Sequence, residues 1–309
     1  MSMVEPFHIS RVFNAPRALV FLAHTDVAHV SQWMSPGGFQ VIHADMDLRA
    51  GGSYHYGIRG PDGSEMWGLQ RYVEIVAPQK LVYIQAFSDK DRGLARHPMS
   101  PTWPLEMETT VTFDDLGDGT TRVNIAWQPH NADAAALATF DGARDGMAGG
   151  FTGMFANLDA HLAAHERQLV HSRLIDAPRA LVWRALTEPA HVNAWWGPNG
   201  FRNVDVTQDV RLGGEWKFTM IGPDGTTYPN KSTYIELVPP ERLVYDCGDF
   251  DNVMFRGEIT LQPIGERTLV TLAVVVSDRA IRDGLLGYAL EGGQQTLAKL
   301  AAHVAGMTA

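Results

Sequence analysis

The chain has 309 residues, of which 45% are hydrophobic and 19% are charged, and its formal net charge at pH 7 is −10. This length predicts about two domains, and the composition is typical of a globular protein. The negative charge argues against nucleic acid and anionic membranes as partners, because both repel an acidic protein.

The sequence contains neither a predicted membrane span nor a predicted secretory signal. Its apolar runs are shorter than the roughly 18 residues of a spanning helix, and residues 1–6 lack the basic and apolar regions of a signal peptide. The single cysteine, Cys247, excludes an internal disulfide. We therefore predict a cytoplasmic protein in which Cys247 is a small, half-buried hydrophobic residue.

The chain opens with a predicted strand followed by two helices. Apolar residues alternate over residues 7–13, as is typical of a half-buried strand. Residues 14–16, Asn-Ala-Pro, end this strand, since asparagine can cap a helix and proline has the φ of a first helical turn. An apolar helix follows, and a second, shorter helix covers residues 27–34.

Turn residues then divide the sequence into a series of strands. Residues 60–63, Gly-Pro-Asp-Gly, are a strong turn signal, because proline presets φ and glycine accepts positive φ. The predicted strands cover residues 39–48, 53–59, 67–76, 80–87, 106–116 and 122–128. A long helical stretch over residues 141–165 ends this half of the chain.

The second half of the chain repeats the first. Residues 176–182, Asp-Ala-Pro-Arg-Ala-Leu-Val, match residues 14–20, Asn-Ala-Pro-Arg-Ala-Leu-Val. About two positions in five are identical over a gap-free stretch of roughly 70 residues, far above chance for unrelated segments. We predict two tandem domains, residues 1–166 and 167–309, with hardly any linker between them.

Each copy predicts an α+β fold. The hairpin turns imply an antiparallel sheet, and one long C-terminal helix must cover its inner face. A curved sheet around a single helix is hard to fill completely with side chains. We therefore expect a cavity between the sheet and that helix.

A tryptophan marks the same corner of both copies. Residues 33–39 read Trp-Met-Ser-Pro-Gly-Gly-Phe, and residues 195–201 read Trp-Trp-Gly-Pro-Asn-Gly-Phe. The first tryptophan recurs, which favours packing between the short helices and the sheet. The second position is Met34 in one copy and Trp196 in the other, so a role that differs between the domains is expected at Trp196.

The copies also differ in one loop and in the final helix. Residues 88–104 form an insertion with three prolines, which predicts a stiff loop. Either its Trp103 and Met99 close one end of a cavity, or the loop lies on the surface with Trp103 against the sheet. Paired glycines in the final helices, at 149–150 and 292–293, allow either close packing or room for a ligand.

Several motifs are typical of a known family. They are residues 223–226 (Pro-Asp-Gly-Thr), 238–244 (Val-Pro-Pro-Glu-Arg-Leu-Val), 291–293 (Glu-Gly-Gly) and 97–107 (His-Pro-Met-Ser-Pro-Thr-Trp-Pro-Leu-Glu-Met). With them, the chain resembles the activator of heat-shock-protein-90 ATPase homologue family of the START/Bet v 1-like (SRPBCC) superfamily, once in each copy.

The resemblance implies a helix-grip fold, in which a curved antiparallel sheet grips a long helix over an apolar tunnel. Across the superfamily this tunnel binds lipids, sterols, polyketides or plant hormones, and a few members are cyclases or hydroxylases. The resemblance does not imply chaperone activation, because the eukaryotic activators carry a separate N-terminal domain that makes much of the chaperone contact.

Catalytic and metal-binding motifs have little support in the sequence. His161 and His165 lie four apart and can share a helix face, but no cysteine or carboxylate cluster completes a site, so no metal is predicted. Phosphate-binding loops and a serine-hydrolase motif are absent. Four titratable residues could do acid/base work if they faced the cavity, although the outer sheet face is favoured for most: His55, Glu106, Asp246 and Arg256.

Three functions stay open at this level. The first is binding of a small hydrophobic molecule between sheet and final helix, with no cofactor and no defined catalysis. The second is a protein-interaction or co-chaperone-like module, whose partner is unknown, with Trp195 and Trp196 on its surface. The third is a cyclase-like enzyme.

The candidate ligand-binding residues come from the short-helix edge, the strands, the loop insertion and the final helix. In copy one they are Trp33, Phe39, Tyr54, Trp67, Trp103, Met147 and Phe155. In copy two they are Trp195, Trp196, Phe201, Trp216, Tyr234, Phe255 and Leu297. Plain core packing is the alternative role for most of these residues.

Overall fold

The computed structural model describes residues 5–35, 38–98, 100–117, 119–248 and 252–307, apart from the side chains of residues 286–288 and 290. It divides into Met1–Ala164 and His165–Ala309, which we call unit 1 and unit 2. Each unit is an α+β helix-grip domain, with an antiparallel sheet and a long C-terminal helix. None of the described helices is both long enough and apolar enough to cross a membrane.

Unit 1 follows the predicted order of one strand, two short helices, further strands and a long helix. Its elements are β1 (Phe7–Phe13), α1 (Arg17–Thr25), α2 (Val27–Trp33), β2 (Gln40–Met46), β3 (Ser53–Arg59), β4 (Glu65–Val76), β5 (Lys80–Ser88), β6 (Leu94–Ala95), β7 (Glu106–Gly117), β8 (Thr120–His130), α3 (Ala134–Gly142) and α4 (Arg144–Ala164).

Unit 2 repeats this order with shorter connections. Its elements are β9 (Gln168–Ile175), α5 (Arg179–Thr187), α6 (Pro189–Trp195), β10 (Arg202–Gln208), β11 (Glu215–Ile221), β12 (Thr227–Val238), β13 (Arg242–Gly248), β14 (Val253–Ile264), β15 (Arg267–Val275) and α7 (Arg279–Ala305).

The two sheets have the same topology. The strand order is β1-β8-β7-β5-β4-β3-β2 in unit 1, where β6 adds a short pairing to β5, and β9-β15-β14-β13-β12-β11-β10 in unit 2. Both sheets are antiparallel throughout these paths. The first strand of each unit therefore pairs with the last, beside the long helix that packs against it.

Two local predictions are wrong. Residues 141–165 do not form one helix, because α3 ends at Gly142 and α4 begins at Arg144. The N–H of Ala143 donates to the carbonyl oxygens of both Phe140 and Asp141, which tightens the last turn of α3. Asn14 does not cap α1, since the N-cap residue is Pro16 and no side chain donates or accepts there.

A pair of glycines holds the turn between the second and third strands of each unit. A Cβ on Gly52 would lie 2.2 Å from the carbonyl oxygen of Asp47, and Gly51 has a φ of +80°. Gly214 repeats the approach, at 2.2 Å from the oxygen of Asp209. Only glycine fits so close to another backbone, which explains why the turn recurs in both copies.

The first tryptophan of the shared edge packs between the short helices. Trp33 donates its indole N–H to the carbonyl oxygen of Ala23 at 2.7 Å, and Trp195 donates to that of Ala185 at 2.9 Å. Both side chains are almost completely buried, at 4% and 2% exposure. The edge is therefore a structural element of the domain.

A buried threonine ties the end of each sheet to the loop before the first helix. The Thr121 hydroxyl donates to the carbonyl oxygen of Ala15 at 2.7 Å, and that of Thr268 donates to Ala177 at 2.8 Å. Both threonines have 0% exposure. A hydrogen bond in such a buried place is costly to lose without replacement.

We predict that Thr268→Val lowers the free energy of unfolding by about 1–3 kcal/mol, because valine keeps the shape but cannot donate to Ala177. Urea denaturation of the full chain measures the change. Thr227→Val, at an exposed position of β12, is the matched control and should change stability by less than about 0.5 kcal/mol. Equal effects of the two substitutions would contradict the assignment.

Candidate ligand-binding site

Unit 1 contains a cavity of about 620 Å³ between the inner face of its sheet and α4. This volume lies within the range of small-molecule pockets in proteins. The wall is formed by the end of α2, the strands β3 to β5, β7 and β8, the loop before β7, and one face of α4.

Four of the seven candidate residues of unit 1 line this cavity. They are Trp33, Trp103, Met147 and Phe155. The structure therefore brings together residues from α2, the insertion and α4 that are spread over more than a hundred positions of the sequence. Their role in holding a ligand remains a prediction.

The other three candidates do not line the cavity. Trp67 lies on the opposite face of the sheet, where its ring stacks on His55 with centroids 5.3 Å apart. Phe39 lies against the turn at Gly60, 3.1 Å from where a Cβ would be. Tyr54 is buried at 2% exposure and stacks on Tyr56, which does reach the cavity.

Sequence reasoning missed several wall residues. They include Met34, Tyr56, Tyr83, Trp127 and Phe151. Alternation along β8 was a usable signal, because Trp127 lies two residues beyond Ile125 and shares its face. Phe151 was harder to assign, since helical position alone does not show which face of α4 meets the sheet.

The loop insertion contributes residues to the cavity wall. The Trp103 ring lies 5.7 Å from that of Trp127 and 6.0 Å from that of Phe140, measured between centroids. The hydroxyls of Thr102 and Thr139, 2.9 Å apart, join the loop to α3. Trp103 is therefore both packed onto the sheet and part of the wall, which combines the two alternatives. Met99 lies outside the described residues.

Glycines in the long helices have different surroundings in the two units. Gly146 and Gly150 line the cavity, and a Cβ on either would meet nothing within 4 Å in its surroundings. In unit 2, a Cβ on Gly293 would lie 2.4 Å from the buried ring of His171. Glycine leaves room in unit 1, whereas in unit 2 it permits close packing.

The described wall of the unit 1 cavity includes no Asp, Glu, Lys or Arg, and its two histidines are His24 and His97. Burial lowers the pKa of His24 to about 4, although its hydrogen bond to the Val20 carbonyl at 2.8 Å acts in the opposite direction. Burial also raises the pKa of Tyr56 and Tyr83. All three side chains are therefore neutral at pH 7.

Two buried polar atoms of wall residues have no hydrogen-bond partner: Nε1 of Trp127 and Oγ1 of Thr109. By contrast, Nδ1 of His24 lies 2.8 Å from the carbonyl oxygen of Val20. A buried N–H without a partner costs about 1–3 kcal/mol, so a ligand acceptor at this point would be favourable.

The titratable residues proposed for acid/base work lie away from the cavity. His55 stacks on Trp67 on the other sheet face, and Glu106 pairs with Arg71. In unit 2, Asp246 and Arg256 form an ion pair at 2.8 Å. The lone cysteine, Cys247, is buried, and burial raises the pKa of its thiol, which disfavours the reactive thiolate.

In unit 2 an aromatic cluster occupies the corner where unit 1 is open. The Trp196 ring lies 5.3 Å from Trp195, 4.8 Å from Trp216 and 6.5 Å from Tyr245. Its counterpart in unit 1 is the smaller Met34, which lines the cavity. The larger indole therefore takes up space that is open in unit 1.

The remaining candidates of unit 2 belong mostly to its core. Trp216, Tyr234 and Leu297 are at most 4% exposed, and Phe255 packs against them while half-buried. Phe201 lies near Tyr228, with ring centroids 6.2 Å apart. Core packing, the alternative considered for these residues, describes their observed positions.

Similarity to known proteins follows the two units. The family described as "Activator of Hsp90 ATPase homolog 1-like protein" matches residues 14–163 and again residues 176–305. No curated protein matches the chain.

Three solved structures are similar to one part of the chain or to nearly all of it. A protein from Nitrosomonas europaea is 27% identical, with 45% of this chain and 95% of that chain covered and a TM-score of 0.42. A protein from Chromobacterium violaceum is 30% identical, with 44% and 95% covered and a TM-score of 0.38. BexL, a di-domain ARO/CYC from the BE-7585A biosynthetic pathway, is 16% identical, with 99% and 100% covered and a TM-score of 0.40.

We predict that Trp196→Met opens a cavity in unit 2 and lowers the free energy of unfolding by about 2–4 kcal/mol, because the neighbouring rings cannot fully close the space. Urea denaturation measures the loss. Leu212→Ala, at a side chain that is 68% exposed, is the control and should leave stability within about 0.5 kcal/mol. Wild-type stability in the Trp196→Met variant would show that the indole does not fill this space.

Proposed function

The chain belongs to the activator of Hsp90 ATPase homolog 1-like family, and we propose that its unit 1 binds a small, uncharged, hydrophobic molecule between the sheet and α4. The observation that carries this proposal is the cavity of about 620 Å³, whose described wall has no Asp, Glu, Lys or Arg. Burial of apolar ligand surface contributes about 25 cal/mol per Å², which favours such a molecule over a charged one.

The arrangement of rings supports a planar ligand. Trp127 lies 5.7 Å from Trp103 and 5.5 Å from Phe151, with the ring planes inclined by 43° and 83°. A flat, conjugated molecule can contact the faces and edges of these three aromatic rings. The free N–H of Trp127 supports an acceptor, such as a carbonyl oxygen, on one edge of that molecule.

The shifted pKa values of three wall residues favour binding over acid/base catalysis by those residues. A general acid or base works best with a pKa near the operating pH. The pKa of His24 is lowered to about 4, and those of Tyr56 and Tyr83 are raised further above neutrality. We therefore favour a binding role over a cyclase-like reaction at this site.

The alternative of a protein-docking surface at the tryptophan edge has less support. Trp195 is 2% exposed, and Trp196 packs against three other rings. A docking residue has to be accessible to its partner, and these indoles are mostly covered by their own unit.

We predict that Met34→Trp weakens binding of the neutral fluorescent probe N-phenyl-1-naphthylamine at least tenfold. The substitution copies Trp196 of unit 2 and fills the cavity end that Met34 lines. Fluorescence titration of the full chain gives the affinity. Met34→Leu conserves the volume and should bind the probe as the wild type does. Unchanged affinity in a folded Met34→Trp variant would place the probe elsewhere and refute the proposed site.

We also predict that Trp127→Phe discriminates between two ligands of the same shape. It should weaken 2-acetylnaphthalene roughly 2- to 10-fold, since one hydrogen bond from Nε1 is lost, and leave 2-ethylnaphthalene nearly unchanged. Isothermal titration calorimetry measures both affinities. Equal weakening of the two ligands would show that the indole contributes only ring contact.

A further inference from the structure

A group of histidines lies outside the cavity, where α2 meets the C-terminal end of α4. His29 is on α2, His161 is in the last turn of α4, and His165 directly follows Ala164, the last residue of that helix. One ring nitrogen from each of the three lies within 4.8 Å of the other two. His29 Nδ1 and His161 Nε2 lie 3.0 Å apart.

The fold places a third histidine beside the pair that the sequence pattern identified. Sequence analysis predicted no metal because the pair His161 and His165 had no further donor. His29, 132 positions before His161, brings a third imidazole to the pair. The premise of that prediction therefore no longer holds.

We propose that His29, His161 and His165 bind a divalent transition-metal ion of the Zn²⁺ type. Zn²⁺ accepts imidazole nitrogens at about 2.0–2.1 Å, so nitrogens around one tetrahedral ion are roughly 3.3 Å apart. His29 Nδ1 and His161 Nε2 are 3.0 Å apart, near that value, and one nitrogen of each of the three histidines lies within 4.8 Å of the other two. Small rotations of the half-buried rings bring all three nitrogens to one ion.

Two features of the backbone favour a cation at this place. His161 and His165 are separated by four residues, which puts their side chains on one face of the helix end. The carbonyl groups at a helix C-terminus carry a partial negative charge, which stabilises a nearby cation. With three protein ligands, a fourth position is left for water or another small ligand.

Unit 2 contains the same pair without the third imidazole. His191 Nδ1 lies 3.0 Å from His303 Nε2, as His29 does from His161. Four residues after His303 the chain has Met307, which lines a surface pocket with both histidines. A thioether is a soft ligand that suits Cu⁺ better than Zn²⁺.

Comparison of the two units distinguishes the contact between two histidines from the proposed three-histidine metal site. A contact between two histidines that occurs in both units is explained by packing of the second short helix on the long helix. That packing does not require His165, because unit 2 has methionine there. We therefore assign strong Zn²⁺ binding to His29, His161 and His165 alone, with one ion per chain.

The test uses the full chain without an affinity tag, stripped with EDTA and dialysed, and titrates Zn²⁺ by isothermal titration calorimetry. The proposal expects one ion per wild-type chain. His165→Met, which copies unit 2, should weaken binding at least tenfold. Met307→His, which copies unit 1, should raise the stoichiometry to two. Circular dichroism verifies that each variant is folded.

The control variant is His8→Gln, which removes an exposed histidine on β1 far from α2 in sequence and should bind Zn²⁺ as the wild type does. Absence of stoichiometric Zn²⁺ in the wild type would overturn the proposal. Equal losses in His165→Met and His8→Gln would also overturn it, because they would indicate nonspecific binding to surface histidines. Neither result bears on the hydrophobic cavity, whose wall contains none of these three residues.

Discussion

The structure depends on one constraint: a single long helix cannot fill the inside of the curved sheet that surrounds it. Each unit must therefore either fill the remaining space with side chains or keep it open. Interiors are normally packed as densely as organic crystals, so an open space of about 620 Å³ needs a rigid wall. In unit 1 the stiff loop insertion, joined to α3 at Thr102 and Thr139, contributes that wall.

The two units resolve this constraint differently with nearly the same framework. The Gly-Gly turn, the indole bond to the helix carbonyl and the buried threonine recur in both. The differences concern volume at a few positions. Trp196 replaces Met34 at one corner, and Gly293 lets His171 press against α7 where unit 1 has Phe151 beside its cavity. Unit 1 therefore keeps a cavity, whereas side chains fill the equivalent corner of unit 2.

Local sequence signals predicted the framework well, because they act over short distances. The turn residues at 60–63 and the alternation of side chains along β3 are local signals, and they predict the strands without information from the rest of the chain. Predictions that needed three-dimensional information were less accurate. Trp67 was assigned to the cavity, but its strand presents it to the other face, where His55 stacks on it. The contact of His29 with His161 joins residues 132 positions apart, and no local pattern reveals it.

The central claim is that unit 1 is open and accepts a hydrophobic ligand, while the equivalent corner of unit 2 is filled. A crystal structure of the full chain grown with 2-acetylnaphthalene tests this most directly. The account predicts ligand density in unit 1 beside Trp127 and α4, with the carbonyl oxygen within hydrogen-bond distance of Nε1. At Trp196 it predicts side-chain density alone. A unit 1 whose aromatic side chains have collapsed into the space and left no ligand there would contradict it.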